Sequence, residues 1–73
     1  MDKEVVLKNI GKELKALRIK SGFTSYESFA YTHNIQRQTV YRAESGKNIT
    51  IETLVTLLNS LDTSLEDFFK GFK

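Results

Sequence analysis

The sequence predicts an all-α fold of five helices, and three observations carry that reading. Apolar residues recur at helical spacing from one end of the chain to the other. Proline is absent and the four glycines fall at positions 11, 22, 46 and 71, so long segments run without a strong helix breaker. Ser, Thr and Asn stand between the apolar segments, where helix caps and tight turns need them. With 73 residues the chain makes one small domain, 1–73, near the lower limit for a core without covalent staples.

Val6, Ile10, Leu14 and Leu17, with Leu7 beside them, form one apolar stripe and predict a first helix over about residues 3–20. Lys8, Lys12, Lys15 and Lys20 fall largely on the opposite side, and Glu4 stands four residues before Lys8 in the favourable order. Arg18 lies beside the end of the stripe. Gly22 fits a left-handed residue just past the helix. Thr24 with Glu27 fits a capping box, and Ser25 serves equally as N-cap for a second helix to about Thr32. Phe29 and Ala30 point inward there, the small Ala30 suiting a close helix crossing.

Asn34 follows, the non-glycine residue that best tolerates the left-handed conformation of a tight turn, and Ile35 supplies an apolar plug. The third helix should run from Gln36 to about Ser45, with Val40 and Ala43 inward and Gly46 at its end. Thr50 caps a fourth helix whose apolar residues are Ile51, Leu54, Val55, Leu58 and Leu61. Asp62 and Thr63 make a turn. Ser64 with Asp67 forms a capping box for a last helix from Leu65 to about Gly71, with Leu65, Phe68, Phe69 and Phe72 apolar.

Residues 25–46 thus read as two short helices around a tight turn, the second of them unusually polar. That is a helix-turn-helix. Charge follows the same division. The first fifty residues carry nine basic and five acidic side chains, and residues 51–73 carry two and four. A polyanion would therefore meet the front of the molecule.

Other function classes find little support. Cysteine is absent and there is one histidine, so neither a disulfide framework nor a metal centre is expected, and no cofactor. No nucleophile–base pair, carboxylate cluster or phosphate-cradling glycine loop points to an enzyme. The apolar runs are too short to span a membrane, and the start of the chain lacks a secretory core, so a cytoplasmic location is expected.

Gln36, Arg37, Gln38, Tyr41 and Arg42 lie at the start and outward face of the third helix. Gln pairs with adenine and Arg with guanine through two hydrogen bonds each, and Tyr can meet a thymine methyl, a base edge or a phosphate. These five are the expected base contacts. Lys20, Ser25, Tyr26, Thr39, Lys47 and Asn48 flank the same region and are the expected phosphate contacts, helped by free N–H groups opening the second helix. Phe69 and Phe72 are more aromatic surface than a short terminal helix needs, which marks them as possible homodimer contacts. His33 is read as a half-buried turn residue rather than a ligand.

Leu17-Arg18, Phe29-Ala30, Asn34-Ile35, Gln36 to Val40, Glu44-Ser45-Gly46 and Ser64-Leu65-Glu66-Asp67 together resemble the phage-repressor-like helix-turn-helix domains, the XRE family, over about Ile10 to Phe69. The resemblance implies a compact five-helix bundle of the lambda-repressor type, a third helix in the major groove, and a homodimer on a palindromic operator in double-stranded DNA. It also implies an ion pair between Arg18 and Glu44 that ties the first helix to the third. The chain departs from the family pattern in four places. Asn34 stands for the usual turn glycine, His33 for an aliphatic residue, and Tyr26 for a phosphate-contacting Gln; the stretch between Gly22 and Ala30 is one residue longer. The expected function is a small transcriptional regulator acting as a repressor. The alternative is an antitoxin or adaptor that binds a protein partner through the same fold.

Overall fold

The computed structural model describes residues 1–70 and 72. Among them are five α-helices and no strand: α1 (Lys3–Lys20), α2 (Tyr26–Thr32), α3 (Arg37–Glu44), α4 (Ile51–Ser60) and α5 (Leu65–Lys70). The third helix is the hub, packing against α1, α2 and α4, while α5 closes on α4.

Four of the five helices begin where a short polar side chain can take up a free backbone N–H. The Asp2 carboxylate accepts from Glu4 and Val5, Ser25 Oγ from Ser28, Thr50 Oγ1 from Thr53, and Ser64 Oγ from Asp67. Position 25, not Thr24, is therefore the cap of α2. Its hydroxyl also donates to Glu27 Oε1 at 3.1 Å, in place of the backbone-directed reach of Glu27 that a capping box would give. Helix α3 lacks a cap of this kind. Gln36 holds the extended N-cap conformation without a side-chain bond, so the helix proper starts at Arg37, one residue after the expected start.

The first four helices end in one way. Gly22, Asn34, Gly46 and Asp62 have φ of 102°, 56°, 83° and 54°. In each case the next N–H donates back to a carbonyl in the final turn: Phe23 to Arg18, Ile35 to Ala30, Lys47 to Arg42 and Thr63 to Leu58. This six-to-one bond closes the orphan carbonyls and reverses the chain sharply. Asn34 turns α2 into α3 in this manner, in the left-handed region that a glycine would occupy without strain.

The core consists of Leu14, Phe29, Ala30, Val40, Ala43, Leu54, Leu57, Leu58 and Phe68, with Ile10, Leu17, Phe23, Tyr26, Ile35, Ile49, Leu61 and Phe72 packed around it. Fully burying a large apolar side chain is worth about 1.5–3 kcal/mol, so Phe29 and Phe68, the largest of these, dominate together with Leu14, Leu54, Leu57 and Leu58. Two residues of the expected apolar faces stay at the surface. Ile51 is exposed, because the face of α4 turned to the core runs through Leu54, Leu57 and Leu58, with Leu61 packed beside it just after the helix. Leu65 is also exposed; Phe68 alone of α5 reaches the core centre. The expected end of the last helix at Gly71 lies outside the described residues.

Gly11 settles how closely α1 approaches α3. A β-carbon there would lie 2.6 Å from the Glu44 carbonyl oxygen and 2.8 Å from that of Ala43. The end of α3 therefore rests on the bare backbone of α1, and a glycine that costs about 1 kcal/mol of helix propensity is kept for that contact. Nothing in the periodicity of α1 signals this, since glycine neither adds to nor breaks an apolar stripe. One turn earlier, Lys8 packs its backbone and stem against Gly46.

Candidate nucleic-acid interface

Helix α3 is eight residues long and divides by face. Val40 and Ala43 are buried, whereas Arg37, Gln38, Tyr41 and Arg42 are exposed, with Gln36 exposed just ahead of them. Among the described residues none of these five side chains makes a hydrogen bond or ion pair within the chain. Two guanidiniums and two carboxamides are thus presented to solvent on one short rod, with their hydrogen-bonding capacity unspent. Thr39 is half-buried and sits between the two faces.

The rod is held at its far end by Glu44. Arg18 Nε donates to Glu44 Oε2 at 2.7 Å and Arg18 Nη2 to Glu44 Oε1 at 3.0 Å, a two-toothed pair of side chains only 4% and 11% exposed. The remaining Nη1 donates to the Phe23 carbonyl at 2.7 Å. One guanidinium therefore joins α1, α3 and the loop leading into α2. Burial makes the pair costly to break from one side, and the third bond leaves no Arg18 nitrogen unpaired. At the turn, the His33 ring packs on Phe29 at 4.5 Å between centroids and its Nδ1 lies 3.0 Å from the Phe29 carbonyl oxygen. His33 thus replaces an aliphatic plug with an aromatic one whose polar atom is satisfied by its own helix.

The flanking residues do not form one cluster. Tyr26 opens α2 and packs its ring against Tyr41, centroids 5.7 Å apart. Ser25 beside it already accepts from the Ser28 N–H, so it leaves fewer free N–H groups at this end than an uncapped helix would. Lys20 is exposed on the last turn of α1, and Lys47 is exposed just after α3. Asn48 borders a groove with Met1, Lys3, Val6 and Leu7, which places it beside the start of α1.

A helix-turn-helix family model matches residues 14–68. The chain belongs to the XRE helix-turn-helix family. The matched span runs from the first core residue of α1 to the core phenylalanine of α5, so it takes in the Arg18–Glu44 tie, the turn at Asn34 and the whole of α3. No curated protein matches the chain in sequence. As an XRE-family domain this is a DNA-binding helix-turn-helix regulator whose partner is double-stranded DNA. No helix among the described residues is long and apolar enough to cross a membrane.

Two features of the XRE domain were not visible in the sequence. Gly11 sets the α1–α3 approach, and Tyr26 and Tyr41 stand fifteen residues apart with no periodicity linking them. The only available hint was the Tyr26 departure itself: an aromatic where the family tends to place Gln needs a surface to pack on.

Proposed function

We propose that the protein represses transcription by reading a specific double-stranded operator, with α3 in the major groove. One observation carries this reading: the unpaired, exposed row of Gln36, Arg37, Gln38, Tyr41 and Arg42 on a helix anchored at its opposite face and end. The first turn of such a helix meets base edges, which assigns base contacts to Gln36, Arg37 and Gln38, with Tyr41 and Arg42 one turn further along the groove. Lys20, Ser25, Tyr26, Thr39, Lys47 and Asn48 are then the phosphate contacts, spread around α3 at separate points, that set the register of docking.

The domain works as a homodimer in this reading, on an operator with matching two-fold symmetry. Support comes from the face where α5 meets the start of α1. Phe69 is 40% exposed there and, with Phe72, borders an apolar groove shared with Met1, Val5 and Val6. Repression in this form follows from occupancy alone, since a bound dimer excludes other proteins from its site.

Selection from a random duplex library, followed by fluorescence anisotropy on the selected site over a salt series, tests the proposal. A two-fold symmetric motif is expected, with affinity falling steeply as salt rises. Absence of duplex binding at low salt, or affinity without any sequence preference, would refute it.

A further inference from the structure

The outward face of α3 carries one aromatic residue, and that ring has a support. Tyr41 is 49% exposed, while Tyr26 is half-buried against the core. Their ring centroids lie 5.7 Å apart with planes inclined at 45°, a distance at which aromatic pairs attract. Alone on a helix surface, a tyrosine samples several rotamers, and ordering it on binding costs free energy. Backed by a ring fixed in α2, Tyr41 has less freedom to lose. It also follows Arg37 by four residues and so shares its side of the helix. A ring presented there is apolar, broad and oriented. The apolar feature of the major groove is the methyl group at C5 of a pyrimidine.

We propose that Tyr41 reads a pyrimidine C5-methyl group and that Tyr26 is the positioning residue that holds the Tyr41 ring for it. The proposal rests on the groove reading above and adds to it a ligand chemistry and a second residue. Tyr26 acts through its ring, which distinguishes this role from a phosphate contact through its hydroxyl. It also differs from ordinary α2–α3 packing, which would hold the fold together without changing which base is preferred.

The test uses the full chain and its selected duplex, with each thymine replaced in turn by deoxyuridine so that only the methyl is lost. At one thymine in each half-site the unmodified protein should bind roughly fourfold more weakly, the factor that burial of about one methyl group implies. Y41A and Y26L should both lose that discrimination, and Y26F, which keeps the ring, should retain it. Circular dichroism establishes that Y26L is helical; should it fail to fold, Y26M is read in the same way. A parent protein indifferent to every deoxyuridine overturns the proposal, as does Y26L that still discriminates fourfold. Equal loss in Y26F and Y26L would assign the role to the hydroxyl and overturn it too. No binding to any duplex is a separate outcome, and refutes the groove reading instead.

Discussion

Replacing Gly11 with alanine should destabilise the protein even though it improves α1 as a helix. Taken alone, the substitution favours folding by about 1 kcal/mol, the propensity difference between the two residues in a helix interior. Against this stands the new β-carbon, 2.6 Å from the Glu44 carbonyl oxygen and 2.8 Å from that of Ala43. Both obstacles are backbone atoms at the end of α3, so no rotamer change relieves them and the helices must part. Overpacking of this kind costs about 1–3 kcal/mol, and the absence of a flexible neighbour puts this site at the upper end. The shift would also strain the Arg18–Glu44 pair, whose two bonds of 2.7 and 3.0 Å span the same two helices. The net expectation is a loss of about 2 kcal/mol, equivalent to a fall of roughly 8–16 °C in Tm for a domain of this size. Urea and thermal melts followed by circular dichroism measure it. A peptide covering α1 supplies the control, because G11A should make that isolated helix more helical. A full-length G11A with unchanged or raised Tm would refute the close approach of α1 and α3.

Glu44→Ala should cost about 3–5 kcal/mol by stranding a buried guanidinium. The double replacement Arg18→Met, Glu44→Leu should recover most of that loss in the same melts. Thr50→Ala removes the bond from the Thr53 N–H to the Thr50 hydroxyl and should cost about 1 kcal/mol. Asp62→Gly relieves a left-handed residue with φ of 54° and should raise stability by about 0.5–1 kcal/mol, measured as a shift in urea midpoint. On the selected operator, Arg37→Ala should flatten discrimination at one base pair by about 1–3 kcal/mol, while Lys47→Ala should weaken all duplexes alike and lower the salt slope. Parallel losses on every sequence from both changes would contradict their assigned places.

The sequence by itself determined the helices and the turn, and most helix ends to within a residue, because these depend on neighbours along the chain. A short polar side chain caps the N–H two or three residues ahead, as Asp2, Ser25, Thr50 and Ser64 do. A left-handed residue is needed at each sharp reversal, and Gly22, Asn34 and Gly46 announce three of the four. The polar face of α3 was equally legible, since one helical wheel separates Val40 and Ala43 from Arg37, Gln38, Tyr41 and Arg42. Pairings between distant positions were a different matter. The Arg18–Glu44 pair came from family resemblance, not from any spacing within the chain, and only the folded molecule shows its third bond to the Phe23 carbonyl. Ile51 and Leu65 have the right periodicity yet stay exposed, because burial depends on which other elements pack over a position and not on its spacing along the helix. Gly11 beneath the end of α3, and Tyr26 behind Tyr41, were decided by tertiary structure alone. Local rules act over three or four residues, whereas a close approach is fixed by the shapes of two surfaces that the chain brings together only after it has folded.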